Sequence, residues 1–209
     1  MEYTITNRET VFSEGSFKVE KLNVKSAYVL STEEKEFERY VFDRGNAAAA
    51  LVHDTVKNKF IFVEQYRAGA EGLMVEIVAG GMEEGEKTQD TIKREIAEEL
   101  GYKVDNLTHI TDFYVSPGAN KEVTALFFAV VSEKIDQGGG VDDEEIVLVE
   151  VDDLGMNGNL FFEPSVDGEM VPPYKLIDAK SIIAVNWYAQ NKMMKNLWET
   201  VSTSKMKSL

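Results

Sequence analysis

The chain has 209 residues, and its 22 Lys and Arg against 37 Asp and Glu give a formal net charge of −15. This charge argues against nucleic acid or an anionic membrane as a partner, because both would repel the surface. The hydrophobic content of 44% excludes a disordered chain. Since the sequence has no cysteine, disulfides, a thiolate nucleophile and a cysteine zinc site are excluded as well.

Two further sequence features bear on the compartment. The N-terminal stretch MEYTITNRET lacks the basic region and apolar run of a secretory signal. The longest apolar stretches, such as residues 47–52, fall far short of the about 20 residues that a membrane-spanning helix needs. We therefore expect a soluble, cytoplasmic protein without a membrane partner.

The first 40 residues alternate loosely between apolar and polar side chains, which is typical of antiparallel strands. Glu14, Gly15 and Ser16 form a turn signal within them, and the charged stretch 32–36 is expected to be a hairpin tip or a solvated loop. We therefore predict an N-terminal antiparallel β appendage over residues 1–40 and a second domain over residues 41–209.

The second domain alternates short apolar segments with two helical patterns. Strands are expected at residues 47–53, 60–66, 73–78, 110–115, 123–131 and 146–151. A helix is expected over about residues 88–100, because Gly101 stands where a helix C-terminus favours glycine. Another helix with a broad apolar face is expected over about residues 178–197. This order predicts an α/β domain with a mixed sheet flanked by helices.

The most informative stretch of the sequence is residues 80–102. Glu95, Glu98 and Glu99 lie at positions i, i+3 and i+4, so the three carboxylates would share one helical face. Clustered carboxylates repel one another, and something cationic should neutralise them. Arg94 is one candidate, and a hard divalent cation such as Mg²⁺ is the other, because it prefers carboxylate oxygens.

A solvated acidic helix face is the simpler interpretation of these glutamates, but their spacing argues for a site. The stretch matches the pattern Gly-x5-Glu-x7-Arg-Glu-(apolar)-x-Glu-Glu-x-Gly-(apolar) at all seven fixed letters. A chance match anywhere in the chain is on the order of one in a million. The chain therefore resembles a Nudix hydrolase. Tyr102 departs from the pattern, where an aliphatic residue is more usual, and this bears on packing rather than on chemistry.

The resemblance implies a Nudix α/β/α sandwich that hydrolyses a nucleoside diphosphate linked to a second moiety, with Mg²⁺ or Mn²⁺ as cofactor. The metal ligands that it implies here are Glu95, Glu98 and Glu99 of the helix and the carbonyl of Ala79, just before Gly80. Glu98 and Glu99 are also candidates for a catalytic role. The residues expected to hold the geometry of the loop and helix are Gly80, Glu86, Arg94 and Gly101.

Further segments resemble the ADP-ribose pyrophosphatase and GDP-mannose hydrolase branches of the family. Pro117, which alone would be an ordinary turn proline, lies 16 residues after Gly101, as in the first branch. Residues 64–67 and 76–81 resemble nucleotide-sugar pyrophosphatases, and residues 40–46 resemble the lead-in strand of the GDP-mannose branch. The substrate-binding residues that these segments imply are Arg67, Glu76, Arg44 and Pro117.

Residues 138–146 resemble a mobile acidic loop of both branches. Glu144 would supply a metal ligand or the general base there, and Asp142 occupies a second acidic position, so the base can be either one. Three consecutive glycines at 138–140 are expected to make the loop flexible, so that it closes over metal and diphosphate. An acidic turn without a role is the alternative.

The resemblance covers roughly residues 40–190 and implies hydrolysis of ADP-ribose to AMP and ribose 5-phosphate. GDP-mannose hydrolysis to GMP and mannose 1-phosphate is the alternative. A nucleoside triphosphate pyrophosphatase is disfavoured by Pro117 and by the appendage. A non-catalytic nucleotide-sugar sensor is disfavoured because every carboxylate of the pattern is present and the net charge is −15. Members of this subgroup are typically homodimers that exchange N-terminal strands, so we expect a homodimer.

Overall fold

The computed structural model describes residues 2–27, 34–140, 145–152, 161–162, 165–166, 169–170 and 174–206. The chain divides into two compact units. The first unit consists of Met1–Ala47 and Asp112–Thr124, and the second unit consists of Ala48–Thr111 and Ala125–Leu209. Within the described residues, no helix has the length and apolar character needed to cross a membrane.

An antiparallel sheet of three strands, in the order β1-β2-β3, forms in the first unit. Its strands are β1 (Glu2–Glu14), β2 (Phe17–Ala27) and β3 (Glu34–Asp43). The predicted antiparallel appendage is confirmed, including its turn at residues 15–16. The loop predicted at residues 32–36 is wrong for residues 34–36, which belong to β3. These charged residues lie in the strand because they pair with residues 25–27 of β2, where Lys25 also forms an ion pair with Glu34.

A larger sheet contains nine strands of the described chain. They are β4 (Ala47–Asp54), β5 (Lys59–Arg67), β6 (Gly72–Glu76), β7 (Val78–Gly81), β8 (Tyr102–Tyr114), β9 (Val123–Lys134), β10 (Val147–Val151), β12 (Ser165–Val166) and β13 (Glu169–Met170). Their order is β13-β12-β10-β5-β4-β9-β8, with β6 beside β5 and β7 beside β4. The strands β11 (Phe161–Phe162) and β14 (Tyr174–Lys175) pair with each other, and a short 3₁₀ helix spans Ala68–Ala70.

Helices cover both faces of the sheet in the second unit. On one face, α1 (Thr88–Glu95) and the π-helical turn Ile96–Leu100 bury Ile92, Ile96 and Leu100 in a core with Val63 and other strand residues. On the opposite face, α2 (Ala179–Met206) places the Tyr188 ring 4.8 Å from that of Phe60, measured between centroids. The predicted α/β/α arrangement is therefore confirmed.

The strand predicted at residues 73–78 is interrupted, and β6 and β7 are separate strands on either side of Ile77. The reason is a hydrogen bond that the Ile77 N–H donates to Ser181 Oγ of α2, at 2.9 Å, in place of a strand partner. The strand predicted at residues 110–115 is longer and begins at Tyr102. Tyr102 fits there because its ring is buried and its hydroxyl donates a hydrogen bond to Asp54 Oδ2, at 2.9 Å.

Candidate active site

The acidic segment between β7 and β8 forms a loop followed by the predicted helix, whose last turn is π-helical. The helix ends at Gly101, where the φ angle of 73° favours glycine, as the sequence predicts. Glu95 and Glu99 are buried, and Glu98 is half-buried. Single π-helical turns occur frequently at functional sites, and here the turn carries two of the candidate metal ligands.

Arg94 joins the candidate ligands to the loop that precedes the helix. Its guanidinium lies 3.2 Å from Glu86 Oε1, 2.8 Å from Glu95 Oε1 and 3.0 Å from Glu98 Oε2. It also donates a hydrogen bond to the Gly81 carbonyl, at 3.2 Å. Hydrogen bonding to Glu86 raises the pKa of Arg94 above its ordinary value. One cation is thus shared by three carboxylates.

Glu86 is held by donors other than Arg94 as well. Its Oε2 accepts hydrogen bonds from Thr91 Oγ1, at 2.8 Å, and from the Glu83 N–H, at 3.1 Å. Hydrogen bonding from Arg94 is the main cause that lowers the pKa of Glu86 to about 2. Glu86 is therefore ionised at neutral pH and joins the loop to Thr91 and Arg94 of α1.

Gly80 lies directly against the carboxylate of Glu95. A Cβ atom at Gly80 would overlap that carboxylate, so a larger residue there would displace the end of the Glu95 side chain. Within the described residues, no three acidic or histidine side chains are arranged to hold a metal ion, and Glu95 and Glu98 bind Arg94 instead. The donor set of carboxylates beside a glycine backbone nevertheless has the all-oxygen chemistry that fits a hard divalent cation.

A second charged cluster surrounds Glu76, the last residue of β6, which is only 2% exposed. Its Oε1 accepts from the guanidinium of Arg67, at the end of β5, and its Oε2 accepts from the ammonium of Lys180 in α2. Lys180 also lies 3.0 Å from Asp178 Oδ1. Glu76 therefore holds Arg67 at the end of β5 through a buried carboxylate.

Sequence reasoning missed Lys180 and Asp178. Asp178 was predictable as a helix-capping residue, because aspartate is favoured just before a helix. In the structure its Oδ1 accepts the Ser181 N–H at 3.1 Å. No spacing in the sequence points to Lys180, since its partner Glu76 is 104 residues away. Only the packing of α2 on the strands brings the two together.

Arg44 and Pro117 belong to the first unit. The Arg44 side chain is more than half exposed, and its Nε lies 3.0 Å from Glu122 Oε2. Pro117 is exposed and follows Ser116, whose carbonyl accepts the Ala119 N–H at 3.2 Å. Proline suits this position of a turn because its φ angle is already fixed near the required value. Both side chains are therefore accessible in the first unit.

Glu144 and Asp142 lie outside the described residues, so the choice of general base stays a prediction. The glycines that precede them are described, and their φ angles are 74° at Gly138, 112° at Gly139 and 85° at Gly140. These angles lie in a region that other residues disfavour, so the conformation itself requires glycine at these positions.

The chain resembles known proteins over most of its length. Residues 43–172 match the NUDIX domain. A GDP-mannose pyrophosphatase of Salmonella typhimurium is 32% identical over 164 residues, which cover 75% of this chain and 80% of the relative. A methanol dehydrogenase activator of Bacillus methanolicus is 31% identical over 153 residues, covering 73% and 77%. The crystal structure of an ADP compounds hydrolase has a TM-score of 0.65 and 21% identity, covering 94% of this chain and 96% of that one.

These matches and the acidic helix identify the class. The chain belongs to the Nudix family. It is a hydrolase that acts on phosphoric anhydride bonds.

Proposed function

We propose that the protein hydrolyses the diphosphate of a nucleoside diphosphate sugar in a reaction that depends on Mg²⁺. The observation that carries the proposal is the negative charge of the helix over residues 88–100, here called the box helix, where Arg94 contacts three carboxylates and the buried Glu99 lies in the same last turn as Glu98. An additional cation would neutralise this cluster. The family membership supplies the class of reaction.

The residues that would hold the cation are Glu95, Glu98, Glu99 and the carbonyl of Ala79. When bound, the cation supplies charge neutralisation for the diphosphate oxygens and a more acidic water. Arg67, which Glu76 holds at the end of β5, would bind the diphosphate through its guanidinium.

In the overall reaction a water oxygen bonds to one phosphorus as the bond from that phosphorus to the bridging oxygen breaks. The products are a nucleoside monophosphate and a sugar phosphate. Glu144 is our first choice for the group that takes the proton from the attacking water, and Asp142 is the second. Glu86 and Arg94 would contribute by holding the loop in place against the helix through their ion pair.

Two substrates stand out. GDP-mannose is supported by the relatives named GDP-mannose pyrophosphatase, which align over 80% of their length. ADP-ribose, which the sequence analysis places first, is supported by Pro117 at its spacing of 16 residues from Gly101. Both substrates present the same diphosphate to the box helix and differ in the base and sugar.

We also propose that two copies of the chain associate through the first 40 residues. Every residue of β1 is exposed in the single chain, including the apolar Tyr3, Ile5, Val11 and Phe12. A long exposed edge strand that carries apolar side chains is a surface on which another chain can pair. Light scattering should then give about twice the 23.5 kDa of one chain, and a particle of single-chain mass would contradict the association.

The test is a substrate panel of GDP-mannose, ADP-ribose, UDP-glucose and dGTP, assayed with Mg²⁺ for release of the nucleoside monophosphate. We expect GDP-mannose or ADP-ribose to be cleaved fastest, with activity abolished by excess EDTA and restored by excess Mg²⁺. Undiminished turnover in EDTA would contradict the metal dependence. Preferential cleavage of dGTP would indicate a triphosphate pyrophosphatase instead, and tight binding of a nucleotide sugar without cleavage would indicate a sensor.

A further inference from the structure

The segment that follows β9 is attached to the end of the box helix through its backbone. The Gly139 N–H donates to the Glu99 carbonyl, at 2.8 Å, and the Gly140 N–H donates to the Glu98 carbonyl, at 3.3 Å. The last carbonyls of a helix have no donors within the helix itself. Here the two glycine amides supply these donors from about 40 residues further along the chain.

The same segment also closes on the residue that ends the helix. The N–H groups of Ile135 and Asp136 both donate to the Gly101 carbonyl, at 2.7 and 3.1 Å. Together with the two glycine amides, this makes four backbone hydrogen bonds between residues 135–140 and residues 98–101. We call residues 135–140 the glycine clamp.

Two glycines allow the clamp to approach the helix so closely. A Cβ atom at Gly138 would lie 2.5 Å from the Glu99 carbonyl oxygen and 2.6 Å from the Leu100 carbonyl carbon. A Cβ atom at Gly101 would overlap the Asp136 carbonyl. Because these neighbours are backbone atoms, they cannot move aside as the end of a side chain could. The contact therefore excludes a side chain on both surfaces.

We propose that the glycine clamp positions Glu98 and Glu99 for metal binding, with Gly138 as its positioning residue. The clamp fixes the carbonyls of the two residues whose carboxylates are candidate ligands, and so fixes the backbone from which those carboxylates project. Groups that orient metal ligands commonly matter for affinity almost as much as the ligands themselves. The inference rests on the proposed metal dependence and adds to it a backbone element that the family pattern of residues 80–102 does not contain.

The test compares Gly138→Ala with the control Gly15→Ala, in the turn between β1 and β2. Both substitutions place alanine in the left-handed region, at φ angles of 74° and 55°, so both carry backbone strain. Only at position 138 does the new methyl group meet the helix, because at Gly15 it would meet no described atom within 4 Å. The difference between the two variants therefore reports the contact with the helix.

Calorimetric titration with Mg²⁺ alone is the first measurement. We expect Gly138→Ala to bind Mg²⁺ roughly 10-fold to 100-fold more weakly than Gly15→Ala. Activity of Gly138→Ala should recover as Mg²⁺ is raised, with the KM for substrate at saturating Mg²⁺ unchanged. Equal Mg²⁺ affinities in the two variants would overturn the inference and leave the proposed function intact. A wild-type protein that binds no Mg²⁺ would overturn both.

Hydrogen exchange in the wild-type protein tests the clamp even if Gly138→Ala fails to fold. Glycine labelled with ¹⁵N restricts the spectrum to the 15 glycines of the chain. We expect the Gly139 and Gly140 amides to exchange more slowly than that of the exposed Gly118, and to slow further when Mg²⁺ is added. Exchange as fast as that of Gly118, or exchange that Mg²⁺ leaves unchanged, would overturn the inference.

Discussion

Two ion networks, one in each unit of the chain, differ in their balance of charge. In the first unit, Lys121 binds Glu20 and Asp43, and Arg8 also binds Glu20, so two cations contact two carboxylates of the described chain. In the second unit, Arg94 contacts three carboxylates. Among these contacts, the first network has two cations for two carboxylates, whereas the second has one guanidinium for three carboxylates. We therefore expect a divalent cation to bind the second network rather than the first.

The pKa values of the carboxylates in the first network also indicate that this network has a structural role. The hydrogen bond from Lys121 is the main cause that lowers the pKa of both Glu20 and Asp43 below their ordinary values. Each carboxylate is therefore charged when the protein is folded at neutral pH. Because the charges are matched, a divalent cation would gain little by binding there.

The largest expected effect comes from removing one carboxylate of the unbalanced network. Glu99→Gln keeps the size of the buried side chain and removes its charge. We expect kcat to fall on the order of a thousandfold, while the protein still folds, because one charge fewer relieves repulsion in the cluster. Turnover at saturating substrate and a melting curve measure the two effects.

The control for this substitution is Glu84→Gln, which removes an exposed charge from the loop before the same helix. It should leave the rate near that of the parent. If Glu99→Gln were as active as Glu84→Gln, the assignment of Glu99 to the metal site would be wrong.

The structural features that the sequence predicts best are those that depend on residues close together in the chain. β4 was predictable because residues 47–52 form an apolar run, and all six are buried. The end of the box helix at Gly101 and the pair of Glu86 with Arg94 follow from short spacings. The π-helical turn at Ile96–Leu100 was not predictable, since its residues are typical of an α-helix.

The contacts that the sequence could not predict join segments far apart in the chain. Ile77 interrupts a strand because Ser181 accepts its N–H, and Glu76 is bound by Lys180, each pair 104 residues apart. The three glycines at 138–140 predict a flexible loop, but no local pattern predicts that the Gly139 and Gly140 amides bind the helix end. Neither periodicity nor local propensity carries information about such partners.

Mg²⁺ itself should distinguish the two networks by its effect on stability. At about 100 times its dissociation constant, a ligand that binds only the folded state adds about 2.7 kcal/mol to the free energy of unfolding. We expect this gain in the wild-type protein and in a Lys121→Met variant, but not in Glu99→Gln. Urea unfolding with Mg²⁺ and with EDTA measures the difference. An equal gain in Glu99→Gln would place the cation elsewhere in the protein.

Lys121→Met should in turn weaken the fold through the balanced network. It leaves the buried Glu20 with one cation and Asp43 without its main one, which we expect to cost about 1–2 kcal/mol, since Lys121 is partly exposed. The control is Lys103→Met, whose ion pair with Glu133 spans 3.8 Å between largely exposed side chains. That variant should change the urea midpoint little. Similar midpoints for both variants would contradict a structural role of the first network.

The smallest effect is a pH dependence of the bond between Glu86 and Arg94. The pKa of Glu86 is lowered from 4.5 to about 2, so its contribution to stability is present above pH 4.5 and is lost as pH falls toward 2. Glu86→Gln lacks this contribution at every pH. We therefore expect the melting temperature of Glu86→Gln to lie below that of the wild type at neutral pH, and the two to converge in acid. Glu84→Gln controls for the loss of one charge in the same loop. A gap between wild type and Glu86→Gln that stays constant down to pH 2 would show that Arg94 does not hold Glu86 through its charge.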